Sequence, residues 1–424
     1  MHKTRLAASI LASLTTAHAA RAQSVWQLPE SITTPRGQSA SLSGLPWLTA
    51  NGSSVIGNFW DQGDFIGEDT RPGYHYVFRA NESETVILEE QRNLREPFVD
   101  RTGELVAVSS DGSSAVLRYD ANAVFDPDAE FGELPLESLI FRERRPTVPV
   151  GDTSGGIVNN AQVISRDGSA LVSSSDFAVS VWRVDPFPDP REITTFPFGE
   201  LTRVLDANSD ASVFAGRSGR DGFVYTEQGG TFFIQSPDDG RDEVWTKHVS
   251  EDGSRLLVNI VEEESIDYFH RAPTLSIPDE WDPLESRAMM WPRTGGPEGG
   301  AGELVDIGFE GAEWSYFDAV SDNGAFATGV SDLPGGPGNV PQAQFLWTEQ
   351  GGVVPLLVGP DTLGYAFGDN PPLVVTDISD DGRTLLYVGR DDEGLGAFFL
   401  ARVPAPGTVA LFVVIPLVTL RRHR

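Results

Sequence analysis

The chain has 424 residues, with 31 basic and 62 acidic side chains, and it contains no cysteine. The absence of cysteine excludes disulfides, thiolate metal sites and cysteine nucleophiles. A net charge of −31 argues against nucleic acid or an anionic membrane surface as a partner, and a solvated acidic surface is sufficient to explain it.

Residues 1–22 have the features of a secretory signal peptide. Lys3 and Arg5 precede the apolar stretch 6–14, and either Ala17-His18-Ala19 or Ala20-Arg21-Ala22 offers a cleavage site, of which the second is preferred. Cleavage after Ala22 leaves a mature chain that begins at Gln23. The sequence therefore predicts an exported protein, located at the cell surface, in the outer envelope or outside the cell.

A short phrase then recurs about seven times: a small residue or Ser, then Asp or Asn, then Gly and a run of β-forming residues. Asx-Gly between two β-rich runs favours a tight hairpin, and we expect type I′ turns. The Asp and Asn residues are expected to shape these turns, not to serve in a site. The repeated positions are Gly52, Gly112, Gly168, Gly253, Gly324 and Gly382, with Ala211 in a degenerate fourth copy, and they lie 42 to 71 residues apart.

A second pattern falls between these copies, with an aromatic or apolar strand, a polar Gly-containing turn and an apolar strand. It is clearest at 222–234 and 344–357. Two hairpins in each repeat make a four-stranded sheet. One aromatic residue per repeat is expected to pack between neighbouring sheets. This aromatic set consists of Trp182, Tyr225, Trp291, Trp347 and Phe399.

Repeated four-stranded sheets are stable when they are arranged radially. The sequence therefore predicts an all-β fold, a β-propeller of four-stranded blades that forms a single domain over residues 23–403. Seven blades are expected, with six as the alternative. Residues 24–28 are strand-like, and we expect them to close the ring by completing the blade that contains residues 396–403.

The last 21 residues, 404–424, form a C-terminal segment of three parts. Pro404, Pro406 and Gly407 precede the apolar stretch 409–420, which ends at a basic cluster. Twelve apolar residues are short for a stable membrane span, which needs about 20. The segment resembles the PEP-CTERM sorting signal, although Ala405 stands where that family has Glu. The resemblance implies recognition by an exosortase or sorting protease. The alternative is a short, weak anchor with stop-transfer arginines.

The internal phrases also resemble those of HAF-repeat extracellular proteins. The similarity rests on copies such as 108–113 and on Phe345-Leu346-Trp347-Thr348-Glu349, and it extends over most of residues 25–403. The resemblance implies an exported, propeller-like bacterial protein. It does not imply a chemical activity.

Motifs of catalysis are missing from the sequence: there is no Gly-x-Ser-x-Gly elbow, His-Glu-x-x-His or phosphate-binding loop. No catalytic or cofactor-binding residue is therefore predicted, and a metal site is left undetermined. His75, His248 and His270 are isolated in the sequence. Calcium is the one cofactor considered, because acid-rich turns supply oxygen ligands. The candidate turns are Asp238-Asp239, Asp380-Asp381 and Asp391-Asp392-Glu393.

Two functions from different classes follow. The first is a monomeric, non-enzymatic scaffold that binds a glycan or a protein of the cell envelope or extracellular matrix. The alternative is a hydrolase or lyase that acts on extracellular polysaccharide, which two acids and an arginine converging in a central cleft would favour. Residues 126–160 and 262–300 depart from the repeat. They are either disordered surface loops, which the sequence slightly favours, or the first places to expect a binding surface.

Overall fold

A computed structural model describes 33 β-strands and no helix among the residues it covers. The described residues are 20–21, 24–61, 65–66, 69–70, 74–92, 104–120, 136–143, 145–150, 161–174, 179–184, 189–193, 202–235, 242–262, 286–292, 303–332, 342–349, 351–356, 365–366, 374–390 and 396–403.

In chain order the strands are β1 (Ala20–Arg21), β2 (Ser24–Gln27), β3 (Ser31–Thr33), β4 (Ser39–Leu48), β5 (Val55–Asp61), β6 (Phe65–Ile66), β7 (Asp69–Thr70), β8 (Tyr74–Ala80), β9 (Thr85–Arg92), β10 (Glu104–Val108), β11 (Ser114–Asp120), β12 (Leu136–Arg142), β13 (Arg145–Val150), β14 (Ala161–Ile164), β15 (Ala170–Ser174), β16 (Val179–Arg183), β17 (Asp189–Ile193), β18 (Thr202–Ala207), β19 (Val213–Ser218), β20 (Asp221–Thr226), β21 (Gly230–Ile234), β22 (Glu243–Val249), β23 (Arg255–Val261), β24 (Ser286–Pro292), β25 (Val305–Asp306), β26 (Ser315–Val320), β27 (Phe326–Asp332), β28 (Gln342–Thr348), β29 (Gly352–Pro355), β30 (Tyr365–Ala366), β31 (Val374–Ile378), β32 (Thr384–Arg390) and β33 (Gly396–Arg402).

Seven sheets of four or five strands form the seven blades of a β-propeller. Blade 1 has the order β3-β4-β5-β8-β9, and blades 2 to 6 are β10–β13, β14–β17, β18–β21, β22–β25 and β26–β29. Blade 7 has the order β2-β33-β32-β31. The prediction of seven four-stranded blades is confirmed, with β3 added as a fifth strand in blade 1.

The first strands of the blades, β4, β10, β14, β18, β22, β26 and β31, contact one another around the whole ring. They therefore form the wall of the central channel. Two short pairs lie outside the blades: β6 with β7, and β1 with β30. Strand β1 (Ala20–Arg21) belongs to the predicted signal peptide, which otherwise lies outside the described residues, as do residues 404–424.

The ring closes through its two ends, as predicted. Strand β2 pairs antiparallel with β33, with Ser24 opposite Arg402 and Gln27 opposite Phe399. Leu28 extends the pairing with a backbone hydrogen bond of 2.8 Å to Phe398, and its side chain is only 2% exposed. The N-terminal strand thus fills the outer edge of blade 7.

Most of the core lies between blades. Trp182, Trp291, Trp347 and Phe399 are all at least 94% buried, and each packs in a cluster that spans two neighbouring blades. Tyr225 is half-buried and stacks on Phe214 with ring centroids 4.7 Å apart. The five aromatics occupy β16, β20, β24, β28 and β33, the third strand of their blades when counted outward from the channel. The predicted interblade role of this set is confirmed.

The repeated phrase forms the loop between the first and second strands of each blade. In blade 7 the Ser379 hydroxyl donates to Asp381 Oδ1 (2.7 Å) and accepts from the Thr384 N–H (2.9 Å). Asp381 Oδ1 also accepts from the Arg383 N–H at 2.9 Å, and the Gly382 N–H donates to the Ser379 carbonyl. Side-chain oxygens therefore satisfy the backbone of the loop from inside, which explains why Ser and Asp recur.

These loops are not type I′ turns, and that expectation was wrong. Among the described residues, the fourth loop position has positive φ in every blade, whereas the Asp or Asn before it does not. A type I′ turn needs positive φ at both positions. The side chain of the Asp or Asn accepts the N–H two residues later in all seven loops, and this contact stabilises the longer loop. The shaping role predicted for these residues is confirmed.

Each first strand carries a β-bulge just before its loop. In blades 2 to 7 one residue is skipped in the pairing, as between Val204 and Asp206 or between Val375 and Asp377. In blade 1 the irregularity covers the residues between Ser43 and Trp47. Bulges turn side chains away from the regular alternation. Asp206 and Asp377, directly after their bulges, each reach the backbone of the next blade.

Candidate functional site

The seven loops between first and second strands lie at one end of the channel, and we call this end the turn face. Backbone hydrogen bonds connect loops of neighbouring blades: Asp380 N–H to Ala50 (2.7 Å), Ala50 N–H to Ser110 (2.7 Å) and Ser110 N–H to Arg166 (2.9 Å). All three donors are the second residue of their loop. The second loop residues thus encircle the channel end, and we call them the mouth residues: Ala50, Ser110, Arg166, Ser209, Glu251, Asp322 and Asp380.

A cavity of about 400 Å³ opens at this mouth. Its lining comes from six of the seven blades and is polar or charged throughout. The lining residues are Ser110, Arg166, Asp167, Ser209, Glu251, Asp322, Asn323 and Asp380. Six of these eight are mouth residues, so the cavity is formed mainly by the second loop position, whose residue type changes from blade to blade.

Arg166 is held firmly on one side of the mouth. Its Nη2 donates to Asp206 Oδ2 at 2.8 Å and to the Val249 carbonyl at 2.7 Å, and Nη1 lies 3.3 Å from Glu251 Oε2. Asp206 Oδ2 also accepts the Val249 N–H at 2.8 Å. Burial opposes ionisation of Asp206, but Arg166 and His248 outweigh it and hold its pKa below the usual value. The guanidinium therefore neutralises this side.

Asp377 makes the same backbone contacts on the opposite side of the ring. Its Oδ2 accepts the Leu48 N–H of blade 1 at 2.8 Å, and its Oδ1 accepts the Ile378 N–H at 2.8 Å. Asp206 likewise bridges to Val249 and to its own following residue, Ala207. The two carboxylates are equivalent in the repeat, three blades apart.

The electrostatic surroundings of the two carboxylates are opposite. Burial and repulsion from Asp322 and Asp380 raise the pKa of Asp377 to about 8. Burial also raises the pKa of Asp322, opposed by the Ser110 hydroxyl and by Arg166. For Asp380, burial again raises the pKa, opposed by the Asn323 N–H that it accepts at 2.8 Å. Three carboxylates therefore share this side of the mouth, and all three resist ionisation.

A second polar pair lies deeper on the channel wall. Lys247 and Asp318 are the bulge residues of neighbouring blades 5 and 6. Burial raises the pKa of Asp318 to about 7, partly offset by attraction to Lys247. Loss of hydration lowers the pKa of Lys247, opposed by attraction to Asp318, although the residue as a whole is exposed to solvent. Lys247 is one of only two lysines in the chain.

The residues singled out from the sequence are placed as follows. His248 is 4% exposed and lies against Gly324, so it is a core histidine that also approaches Asp206 at 3.2 Å. His75 lies in β8, and His270 lies outside the described residues. Asp380 and Asp381 separate, because Asp381 bonds within its own loop while Asp380 faces the mouth. The other calcium candidates, Asp238-Asp239 and Asp391-Asp392-Glu393, lie outside the described residues.

Among the residues that the structure describes, no three His, Asp or Glu side chains are grouped as a metal ion requires. The same part of the chain holds no helix with the length and apolar character to cross a bilayer. Residues 126–160 include β12 and β13, and residues 262–300 include β24. The remainder of both departures, apart from residues 143 and 262, lies outside the described residues.

Opposite pH effects are expected from Asp377→Asn and Asp206→Asn. Between an unfolded pKa of about 3.9 and the folded value of about 8, the native state binds one more proton at Asp377, so stability falls as pH rises. Asp377→Asn should flatten this loss by about 1 kcal/mol or more between pH 5 and 9.

Asp206 contributes stability above its unfolded pKa that is lost as pH falls through its lower folded value. Asp206→Asn should therefore cost about 2 kcal/mol at pH 7 by leaving Arg166 poorly paired.

Urea unfolding from pH 5 to 9 measures the effect of Asp377→Asn, and unfolding from pH 7 down to below pH 4 measures that of Asp206→Asn. Equal pH slopes for the wild type and Asp377→Asn would contradict the assignment to Asp377.

Fold and mouth together define this protein as a seven-bladed β-propeller with a polar cavity at one channel end. No protein-family model matches the chain. No curated protein matches it either. Solved structures of similar fold include the WD40 repeats of RRP9, with 13% identity over 91% of this chain and 99% of that chain and a TM-score of 0.49.

Two more solved structures are similar to lesser degrees. A chain of the mitotic checkpoint complex has 13% identity over 91% of this chain and 92% of that chain, with a TM-score of 0.46. TolB from Acinetobacter baumannii has 14% identity over 55% of this chain and 57% of that chain, with a TM-score of 0.30. At these identities the likeness concerns the fold alone.

Proposed function

We propose that this protein is an exported binding protein of the bacterial cell envelope or extracellular matrix, and that it holds its ligand at the mouth of the turn face. Closed rings of repeated blades are a common scaffold for binding, and their function depends on the residues placed on them. The ligand expected from the sequence is a glycan or a protein of the cell envelope. Export is supported by the signal-peptide features of residues 1–22.

The observation that carries the proposal is the convergence of six blades on one polar cavity of about 400 Å³. The mouth side chains are not needed for the loop itself, because the loop is held by its first, third and fourth residues. Concave sites with a few convergent polar groups are the usual places for ligands. Ala50 and Ser209 show that a small side chain is sufficient at this position for the loop to form. The Arg, Glu and two Asp found there in other blades are therefore not explained by the loop structure alone.

A polysaccharide hydrolase or lyase is the second candidate. Several acids and an arginine converge at the mouth, namely Arg166, Glu251, Asp322 and Asp380. Convergence of two acids and an arginine in a central cleft is the arrangement that favours an enzyme. The raised pKa of Asp322 is also suited to a general acid. However, Arg166 and Glu251 bond to each other and to the backbone of blades 4 and 5. We therefore place binding before catalysis.

The test is a glycan-array and envelope-extract binding assay on the full-length chain, run beside a turnover screen of the same sugars. Saturable binding without product is expected, and Asp322→Arg should abolish it by filling the cavity and replacing a negative charge with a positive one. Asp252→Asn is the matched control, since Asn already occupies that loop position in blades 1 and 6. Product formation lost in Asp322→Asn would establish the enzyme instead. Binding that Asp322→Arg leaves unchanged would remove the mouth as the site.

A further inference from the structure

The residues on the acidic side of the mouth can be compared with the equivalent residues of other blades. Arg166 is the second loop residue of blade 3, and it bonds Asp206 of blade 4 and the Val249 carbonyl of blade 5. Three blades further along the ring, the corresponding residues are Asp322, Asp377 and Leu48. The backbone contacts of the two aspartates are the same at both places. The side chains that stabilise the charge of the carboxylate are what differ.

Both side chains that stabilise the Asp206 carboxylate are replaced around Asp377. Asp322 stands in the place of Arg166, and Trp47 stands in the place of His248. Among the described residues, no Lys or Arg forms an ion pair with Asp322 or Asp377. Asp380 adds a third carboxylate from the loop of blade 7. The position that holds a guanidinium in one half of the ring holds only carboxylates in the other half.

The cavity also contains a hydroxyl with an unused hydrogen-bonding capacity. Ser110 Oγ is buried and forms no hydrogen bond of ordinary geometry, although Asp322 is near enough to interact with it. It lies across the mouth from blade 6, close enough to Asp322 to favour that carboxylate's charged form. Buried polar atoms normally find a partner, so an unpaired hydroxyl within a cavity is consistent with a group supplied from outside.

From these observations we propose that the mouth binds a guanidinium or primary ammonium group between Asp322 and Asp377, in the place that Arg166 occupies over Asp206. This inference deepens the function proposed above and rests on it. Planar guanidinium groups match carboxylates through paired N–H donors, as Arg166 does between Asp206 and Glu251. A free guanidino compound and an arginine side chain of a protein present the same group.

Binding of the cation should release protons. The groups that face Asp377 are Asp322 and Asp380, together with the backbone N–H groups of Leu48 and Ile378. Those that face Asp322 are Ser110, Arg166, Asp206 and Asp380. Burial raises the pKa of Asp377 to about 8 and also raises the pKa of Asp322, so a cation that favours their charged forms must displace protons. Affinity should therefore rise about tenfold or more from pH 6 to pH 9.

Calorimetric titration of the full-length chain with methylguanidinium chloride tests the proposal, with potassium chloride at equal ionic strength as the reference. We expect saturable methylguanidinium binding with proton release that differs between buffers. Asp322→Asn should weaken binding at least tenfold, and Asp322→Arg should abolish it while raising the thermal midpoint, since it supplies the cation within the chain. Asp252→Asn should bind as the wild type does.

Two further ligands separate the sources of the group. Acetyl-arginine amide binding as tightly as a short arginine peptide would indicate a free guanidino compound, whereas tenfold tighter binding of the peptide would indicate a protein partner. Methylguanidinium binding no better than potassium would overturn the proposal. Calcium binding that depends on Asp322, without methylguanidinium binding, would overturn it in favour of a metal site. In both cases, if the wild type binds a glycan and Asp322→Arg does not, the proposed binding function at the mouth still holds.

Discussion

Gly382→Val is expected to lower the free energy of unfolding by about 3 kcal/mol or more, through two costs that combine at one residue. Gly382 has a φ of 65°, in the left-handed region where a β-branched residue is strained. A Cβ there would lie 2.5 Å from Cδ1 of Phe326, a residue of blade 6. The substitution therefore distorts the loop and separates two blades. Urea unfolding followed by tryptophan fluorescence measures the loss.

The matched control is Ala211→Gly in blade 4. Ala211 occupies the same loop position with a φ of 57°, and its methyl group packs in a cluster with Val172 and Phe214. Glycine relieves a strain of about 1–2 kcal/mol but removes one buried methyl worth about 0.8 kcal/mol. The net change should stay within about 1 kcal/mol. A cost for Gly382→Val no larger than that for Ala211→Gly would show that the loop position tolerates side chains generally.

Opening the ring should be still more destabilising. Replacing residues 24–28 by a Gly-Ser segment of equal length removes β2 from blade 7 and exposes the edge of β33. It also removes the buried Leu28 and the partly buried Trp26, which pack against Val388, Phe398 and Leu400. Two large apolar side chains contribute about 1.5–3 kcal/mol each, and the lost strand pairing adds to this. A total of about 5 kcal/mol is comparable with the whole stability of many proteins.

Rescue distinguishes ring closure from a local packing defect. A copy of residues 24–28, joined after Val403 by a short flexible linker, can pair with β33 from the C-terminal side as a hairpin. We expect this copy to restore most of the urea midpoint of the Gly-Ser variant. If the midpoint does not recover, or if the Gly-Ser variant loses less than about 1 kcal/mol, closure by β2 is not what stabilises the ring.

The fold was predictable because its signals are local. Ser379, Asp381 and Gly382 satisfy the loop within six residues, and the same residue types return wherever the same loop is built. The closing strand was also predictable, because a ring with a seventh blade short of one strand needs a partner from the other end. The error in turn type has the same local origin: Asx-Gly predicts a two-residue turn, and only the side-chain bonds of Ser and Asp favour the longer one.

The candidate site was not predictable in the same way. Mouth residues such as Arg166 and Asp322 are those that change from copy to copy, so a search for repeated residues discards them. Asp206 accepts a hydrogen bond from Val249, which is 43 positions away, and Asp377 accepts one from Leu48, which is 329 positions away. It also depends on a bulge that the sequence pattern does not reveal. Aligning the seven loops and examining the unrepeated position is the signal that could have found the mouth.

Closure by the terminal strands also sets the direction in which the chain leaves the propeller. Strand β33 runs toward the turn face, since Arg402 pairs with Thr384 and the Val403 N–H donates to the Arg383 carbonyl at 2.7 Å. Only residues 404–408 separate Val403 from the apolar segment that begins at Val409. Five residues reach at most about 18 Å. A tether made through that segment would hold the acidic mouth toward the surface of attachment, so a ligand would have to arrive from the surface side or through the channel.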